Sequence, residues 1–143
     1  MALDNILVAY DGSEGSRHAL EVAASIAEGN ENMNLDLVYV VPIPLLTTDQ
    51  MQSFQSILDM MVSDGESLLA AATDELADDV VERTDTLLIT GTNPASEILR
   101  LAEQRNYDLI VVGNRGLSGI KEYTGSVSHK VLAGSKIPVL IAK

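Results

Sequence analysis

Residues 5–27 read NILVAYDGSEGSRHALEVAASIA. NILVAY is a nearly continuous apolar run, which predicts a β-strand buried on both faces of a sheet. Asp11-Gly12-Ser13 ends the strand, and Ser13 or Ser16 can cap a helix whose small and apolar residues recur on one face up to Ala27. Gly29-Asn30 then stops the helix. The stretch therefore predicts a strand followed by a helix, as in an α/β protein.

Four more strands alternate with helices along the chain. Strands are predicted at residues 35–41, 86–90, 108–112 and 138–142. Helices are predicted from residues 47–49 to Leu76, with a bend or break at Gly65 and a solvated end at Asp78-Asp79, and at residues 94–105 and 126–133. This alternation indicates a doubly wound, five-stranded parallel sheet with helices on both faces and right-handed crossovers. Such folds bind ligands beyond the carboxyl ends of the strands, where the strand order reverses.

Composition limits the size and the chemistry of the protein. The chain has 143 residues, 46% hydrophobic and 3% aromatic positions, and no cysteine. This length suits one domain, residues 1–143, with an aliphatic core. The lack of cysteine excludes thiol catalysis, cysteine-type zinc sites and disulfides, and it favours the cytoplasm. An acidic N-terminus and short apolar runs predict neither a signal peptide nor a membrane-spanning helix, which needs roughly 20 residues.

Charge is distributed unevenly along the chain. The formal net charge of −12 argues against affinity for nucleic acid or for an anionic membrane surface. Residues 1–108 carry −16, whereas residues 109–143 carry +4, with Arg115, Lys121 and Lys130 among the cations. This split predicts that the C-terminal quarter meets an anion. His18 and His129 lack the partners that a transition-metal site requires.

The densest functional signal is GNRGLSGIKEYTGSVS at residues 113–128. Glycines after a strand let the backbone approach a ligand closely. Gly125-Ser126 falls where a helix begins, so main-chain N–H groups and the hydroxyls of Ser126 and Ser128 can meet an anion there. With the nearby cations, these features predict a phosphate cradle. The structural alternative is that Gly113 and Gly116 only turn the chain and Ser126 is an ordinary helix cap.

At these residues the chain resembles the universal stress proteins. The resemblance covers essentially the whole chain and includes ILVAYDGS near the N-terminus, YVVP at residues 39–42, GTNPASEIL at residues 91–99 and the terminal IPVLIAK. It implies a Rossmann-like fold, similar to that of the adenine nucleotide alpha hydrolases, with strand order 3-2-1-4-5. It also implies a homodimer that pairs through the last strand, from Pro138 to Ala142, and ATP binding in one subgroup of the family.

The resemblance also implies roles for individual residues. Asp11 and the main chain of Val40 would contact the nucleoside, and Val112 and Gly113 would lie beside the ribose. Ala9 stands where some members carry proline. The residues expected around the phosphates are Arg115, by its charge, and Gly116, Gly125, Ser126, Val127 and Ser128. ATP-binding members carry G-x2-G-x9-G-S/T, whereas eight residues separate Gly116 from Gly125 in this chain. Mg²⁺ would come with the nucleotide, held mostly by phosphates and water.

Three functions fit these observations. The preferred one is a homodimeric ATP-binding stress-response or regulatory module, in which the nucleotide orders surface loops offered to a protein partner. The short loop leaves open a dimeric interaction module that binds no nucleotide. A slow ATP hydrolase is the third, although the sequence has no evident base or arginine finger to position water. Instead of contacting a nucleotide, Asp11 could cap the first helix. P-loop, dinucleotide-fingerprint and nucleophile-elbow motifs are absent from the sequence.

Overall fold

The computed structural model describes residues 3–114 and 126–143. Strands and helices alternate, and every strand pair is parallel. The sheet order is β3-β2-β1-β4-β5, which confirms the doubly wound sheet and the order implied by the resemblance. The elements are β1 Asn5–Ala9, α1 Glu14–Glu28, β2 Asn34–Pro42, α2 Thr48–Asp74, α3 Asp78–Val81, β3 Thr84–Gly91, α4 Pro94–Gln104, β4 Leu109–Gly113, α5 Ser126–Gly134 and β5 Val139–Ala142.

Helices cover both faces of the sheet, and each face has its own apolar core. On one face, α1, α2 and α3 pack on strand residues that include Ile6 and Val111. On the other face, α4 and α5 pack on residues that include Leu7 and Ile110. Successive residues of a strand point to opposite faces, so a strand that is covered on both sides must be apolar throughout. This explains the uninterrupted apolar runs of β1 and β4.

Local hydrogen bonds determine where the helices begin. The Ser13 Oγ atom accepts a 3.2 Å hydrogen bond from the Ser16 N–H, so Ser13 is the residue that caps α1. Thr47 and Gln50 form a capping box at the start of α2, each side chain accepting a hydrogen bond from the other residue's N–H. Asn93 caps α4, whose first residue is a proline.

The connection from β2 to β3 differs from the expectation in two respects. The bend or break expected at Gly65 is wrong, because α2 is one continuous helix. Gly65 is instead buried against the sheet, where an added Cβ would lie 2.7 Å from Leu88 Cδ1. Asp78 and Asp79 do not end the long helix but begin the one-turn helix α3. Gly65 therefore permits close packing of α2 on the sheet and does not interrupt the helix.

The strand order reverses between β1 and β4. The chain passes outward from β1 through β2 to β3, then returns to the other side of β1 to form β4 and β5. We call the space beyond the carboxyl end of β1, between the ends of β2 and β4, the crevice. It is the place where this class of fold binds ligands. Within the described ranges, no helix has both the length and the hydropathy needed to cross a membrane.

Candidate functional site

The structure brings the predicted nucleoside-binding residues of three strands to the same edge of the sheet. Ala9 is the last residue of β1 and Gly113 the last of β4, while Val40 lies two residues before the end of β2. Val112 precedes Gly113 and is buried in the core beneath α4 and α5. Asp11 follows β1 and is partly exposed. Ala9, Asp11, Val40 and Gly113 therefore border the crevice. Val112 does not, because its side chain is buried and the even-numbered residues of β4 direct their main-chain groups to β5.

Val40 borders the crevice with its main chain. Pairing of β1 with β2 ends at Ala9 and Val38, and the Val38 carbonyl accepts a further hydrogen bond from the Tyr10 N–H at 2.9 Å. On the other side of β2, the Ile43 N–H donates to Gly91 of β3. Because the main-chain groups of successive residues alternate between the two sides of a strand, even-numbered residues of β2 face β1. Val40 therefore directs its N–H and C=O past the end of β1, while its side chain is buried.

Gly113 borders the crevice from the opposite side. The N–H groups of Ile110 and Asn114 donate to the carbonyls of Pro138 and Ala142, so even-numbered residues of β4 face β5. Because main-chain groups of successive residues alternate between the two sides of a strand, Gly113 faces β1. An added Cβ on Gly113 would lie 2.3 Å from the carbonyl carbon of Gly15, in the first turn of α1. Packing of α1 against β4 thus requires glycine here. Sequence reasoning assigned this glycine only to ligand approach or to a turn.

A compact set of hydrogen bonds holds the loop that carries Asp11. The Asp11 Oδ1 atom accepts a hydrogen bond from the Ser13 N–H at 2.9 Å, and the Asp11 N–H donates to Ser16 Oγ at 3.2 Å. The Ser16 hydroxyl in turn donates to the Ser13 carbonyl at 3.0 Å. Asp11 is therefore not the helix cap itself. It supports the cap with one carboxylate oxygen, and its position is well defined at the border of the crevice.

Helix α2 packs directly on this loop, a contact that sequence reasoning missed. Gly12 has a positive φ of 81°, and a Cβ at Gly12 would lie 2.7 Å from Leu68 Cδ1. One turn before Leu68, a Cβ at Gly65 would lie 2.8 Å from the ring of Tyr39. The two glycines thus let α2 lie close to both β2 and the Asp11 loop. The helical spacing of Gly65 and Leu68 was visible in the sequence, but their partners were not.

Carboxylates shape the electrostatics of this wall. Burial raises the pKa of the Tyr39 hydroxyl above its usual value, and the negative charges of Asp11 and Asp64 raise the pKa further. Burial and these two charges together favour the neutral form of the Tyr39 phenol. Of the cations predicted to balance a phosphate, Arg115 and Lys121 lie outside the described residues, and Lys130 is exposed on α5, Ser126–Gly134.

Three residues of the predicted phosphate cradle lie at the start of α5. Ser126 is its first residue and is exposed, Val127 packs against the core, and Ser128 is buried with an interaction partner of its own. Ser126 is thus the better placed of the two hydroxyls to meet a ligand. Gly116 and Gly125 lie outside the described residues, as does Arg115, so their roles stay predictions.

The donor groups present fit a nucleotide better than a metal ion bound by the protein alone. In the described part of the chain, no three His, Asp or Glu side chains converge to hold a metal. Asp11 is the carboxylate at the crevice, and one of its oxygens is bonded to Ser13. Mg²⁺ would therefore need phosphate and water oxygens to complete its coordination. An adenine ring fits Val40, whose paired N–H and C=O can donate and accept side by side.

A cavity of about 470 Å³ lies at the opposite edge of the sheet, lined by residues that precede β4 and β5. Near it, the Tyr107 hydroxyl donates a short hydrogen bond to Asp36 Oδ2. Burial raises the pKa of Tyr107, and the Asp36 carboxylate raises it further. No residue of this cavity was predicted to act in function, and its lining at the amino ends of the strands separates it from the crevice.

Comparison with known proteins agrees with this architecture. The model of the universal stress protein family matches residues 2–143. Universal stress protein YxiE of Bacillus subtilis is 35% identical to the chain, over 98% of the chain and 99% of YxiE. The solved universal stress protein UspA of Lactobacillus plantarum shares the fold, with a TM-score of 0.87 and 24% identity over 100% of this chain and 99% of that one.

A third similar protein is a solved universal stress protein in complex with cAMP. It is 26% identical to this chain, with a TM-score of 0.64 over 100% of this chain and 98% of the other. The family model and the 35% identity with YxiE both extend over nearly the full sequence. On these grounds the chain belongs to the universal stress protein family.

Proposed function

We propose that this protein binds an adenine nucleotide, ATP in the first instance, in the crevice beyond β1. In this proposal it acts in the cytoplasm as a homodimeric regulatory module. Binding of the nucleotide would order the residues between Gly113 and Gly125 and the connection after Pro42. Those segments would then present a changed surface to a protein partner. Residues 1–143 would act as one unit, with no catalytic step assigned to them.

The orientation of the Val40 main chain is the observation that carries the proposal. The β1–β2 ladder stops at Val38, and Val40 directs an N–H and a C=O toward the crevice. Adenine presents a ring nitrogen that accepts and an amino group that donates along one edge, so it complements this pair. In the same ring orientation, guanine presents the reverse pattern and would oppose it. The proposal therefore includes preference for adenine over guanine.

Two further observations support the proposal. Asp11 stands at the same border, with its loop held by Ser13 and Ser16, so its carboxylate is preorganised for the ribose hydroxyls. The helix that begins at Ser126 offers N-terminal N–H groups to phosphates. A relative of the same family is known in complex with cAMP, which is itself an adenine nucleotide. Mg²⁺ would accompany ATP, coordinated mainly by its phosphates.

Identification of the retained ligand is the direct test. Freshly purified protein would be denatured and the released small molecules identified by chromatography and mass spectrometry. Protein stripped of ligand would then be titrated calorimetrically with ATP, AMP and GTP. We expect an adenine nucleotide in the released fraction or saturable binding of ATP but not GTP. Absence of both, up to millimolar ATP, would refute the proposal.

Asp11→Asn provides a matched test of the site. Asparagine keeps the Oδ1 acceptor for the Ser13 N–H but removes the charge, so the loop should persist while hydrogen bonds to ribose weaken. We expect a loss in ATP affinity of about tenfold or more. Asp85→Asn is the control, since Asp85 is exposed on the edge strand β3. Gly116→Val is expected to block the phosphate approach. Unchanged affinity in both site variants would place the nucleotide elsewhere.

The homodimer has its own test. β5 is an edge strand, and Val139 and Ile141 are only partly buried, so an unpaired ladder and apolar surface remain there. Val139→Asp should convert dimers to monomers in analytical ultracentrifugation. A wild-type protein that is monomeric at micromolar concentration would contradict this part of the proposal.

A dimeric interaction module without nucleotide is the second candidate. Two observations favour it. Packing against Gly15 explains why residue 113 is a glycine, and Ser128 is buried with an interaction partner of its own. Both signals for nucleotide binding therefore also have structural explanations. A dimer that neither retains nor binds ATP would support this candidate.

A further inference from the structure

The outer half of α2 carries an unusually broad apolar surface. Between Thr48 and Val62 no residue is buried, although this half contains Phe54, Ile57, Leu58, Met60 and Met61. Ile57 and Met60 are 53% and 64% exposed. We call these five residues the α2 outer face. Their spacing of three, four and seven residues places them side by side on the helix.

Packing on the sheet does not explain the width of this face. At about 100° per residue, the α2 outer face spans roughly 160° of the helix, whereas packing on a core needs a stripe of about 100°. The inner half of α2 meets that need with Gly65, Leu69 and Ala72, all buried. Phe54, Leu58 and Met61 continue this stripe outward, but Ile57 and Met60 extend it to the side. The preceding loop adds Leu45, which is 87% exposed.

The charged residues of α2, and of the chain on either side of it, are acidic. The chain contains no lysine or arginine between Arg17 and Arg83, while that interval contains thirteen acidic residues. On α2 itself, Asp49, Asp59, Asp64, Glu66 and Asp74 are all exposed. A broad methionine-containing apolar face on a helix whose charged residues are all acidic is complementary to a surface that is both apolar and cationic.

This charge pattern decides between partners. A second copy docked through the same face would bring one set of carboxylates against the other, which is unfavourable in a two-fold symmetric contact. An anionic membrane surface is repelled for the same reason. A helix with lysine or arginine on one side and large apolar residues on the other satisfies both requirements, because flexible methionines can adapt to varied apolar side chains.

We propose that the α2 outer face is a docking site for a basic amphipathic helix of a partner protein. The apolar side of that helix would cover Ile57 and Met60, and its cations would meet Asp49 and Asp64, which lie on the same side of α2. The proposed contact uses none of the residues assigned to nucleotide binding.

A designed peptide tests the proposal. The probe is an 18-residue Leu/Lys peptide with leucines at helical positions i, i+3, i+4 and i+7, labelled for fluorescence anisotropy. Two comparison peptides are a Leu/Glu peptide of the same pattern and a scrambled Leu/Lys peptide without amphipathic spacing. We expect 1:1 binding of the amphipathic Leu/Lys peptide, at least fivefold weaker binding of the scrambled peptide, and none of the Leu/Glu peptide.

Two pairs of variants locate the peptide on the protein. Ile57→Gln with Met60→Gln should weaken binding at least tenfold, and glutamine preserves helix propensity at these exposed positions. Leu132→Gln is the control, since Leu132 is 48% exposed on α5. Asp49→Asn with Asp64→Asn should weaken binding and reduce its salt dependence, since both carboxylates are exposed on the side of α2 that carries Ile57 and Met60. Glu28→Gln with Glu31→Gln alters exposed charges elsewhere and should have little effect.

Four results would overturn the proposal. The first is no binding of the amphipathic Leu/Lys peptide to the wild-type protein. The second is equal affinity for the scrambled peptide, which would show that net charge alone attracts it. The third is undiminished binding by the Ile57→Gln, Met60→Gln protein with an unchanged circular dichroism spectrum. The fourth is conversion of an oligomer to a smaller species by these two substitutions, which would identify a second copy as the occupant.

Discussion

Leu68 of α2 occupies the space that a side chain on Gly12 would need. A Cβ on Gly12 would lie 2.7 Å from Leu68 Cδ1, and the φ of 81° at Gly12 is itself one that other residues rarely adopt. Gly12 follows Asp11 directly, so a helix 27 residues long rests on the loop at the border of the crevice. The position of Asp11 therefore depends on α2 as well as on β1.

Gly12→Ala should lower the free energy of unfolding by about 1–3 kcal/mol, because alanine at positive φ is strained and its methyl group meets Leu68. Urea unfolding gives this value. In the Gly12→Ala background, Leu68→Ala should be less destabilising than in wild type, since it relieves the contact. Strictly additive effects of the two substitutions would show that the two residues do not interact.

Gly113→Ala should lower the free energy of unfolding more than overpacking substitutions ordinarily do. The added Cβ would lie 2.3 Å from the Gly15 backbone, which belongs to a helix and cannot rotate away. We expect a loss above about 3 kcal/mol in urea unfolding, so that any loss of ATP binding by this variant would report on folding.

The matched control for Gly113 is Gly91→Ala. Gly91 is also the last residue of its strand, but its Cβ would meet the side chain of Glu97, which can move. We expect this substitution to cost about 1 kcal/mol or less. Equal losses at the two glycines would contradict the importance of the α1–β4 contact.

Gly65→Ala should destabilise the protein although it lies inside a helix. Alanine in a helix interior is ordinarily favoured over glycine by about 1 kcal/mol. Here its methyl group would lie 2.8 Å from the Tyr39 ring and 2.7 Å from Leu88 Cδ1, and overpacking of this kind costs about 1–3 kcal/mol. Thermal unfolding should show a lower midpoint.

Gly29→Ala serves as the comparison for Gly65. Gly29 follows α1 with a φ of −85°, and its Cβ would make only an ordinary 3.7 Å contact with the Ile26 carbonyl oxygen. The effect should lie within about 0.5 kcal/mol. A stabilised Gly65→Ala protein would mean that α2 does not pack as closely on the sheet as described.

The contribution of Tyr107 to the stability of the protein should decrease at alkaline pH. Burial and the Asp36 carboxylate raise its pKa above 10.0, so the folded state keeps the phenol neutral where the unfolded state releases the proton. Its contribution to stability is therefore present below pH 10 and lost as pH rises further. We expect the stability difference between wild type and Tyr107→Phe to shrink by about 1 kcal/mol between pH 9 and pH 11.

Urea unfolding at several pH values measures this difference. Tyr39→Phe provides a parallel case, because the pKa of Tyr39 is shifted in the same direction. At neutral pH, Tyr107→Phe should be destabilised by about 1–3 kcal/mol, since Asp36 loses its hydrogen-bond donor. A constant difference across the pH range would mean that Tyr107 titrates alike in the folded and unfolded states.

Much of the fold follows from local patterns. The first strand was predicted at residues 5–10 and is Asn5–Ala9, and the fourth helix was predicted at residues 94–105 and is Pro94–Gln104. The signals were continuous apolar runs, a capping serine and Pro94, all of which act within a few residues. β3 begins two residues earlier than predicted, at Thr84, because it pairs with β2 from Leu35 although Thr84 and Asp85 are polar.

The candidate site was only partly accessible from the sequence. Asp11 and Gly113 could be assigned to the crevice because residues after parallel strands gather at one edge of the sheet. The direction of the Val40 main chain could not, since it depends on how far β1 extends beside β2. The contact of Leu68 with the Asp11 loop was equally hidden, because nothing near Gly12 in the chain indicates which helix covers it.

The sequence by itself determined the unequal distribution of charge and the alternation of strands and helices, because that alternation depends on interactions between residues close in the chain. The tertiary structure alone decided why particular glycines are needed: Gly65 for Tyr39 and Leu88, and Gly113 for Gly15. A glycine has the same local freedom wherever it occurs. Whether it forms a turn, admits a ligand or admits a neighbouring backbone depends on which distant atoms occupy the space of its missing side chain.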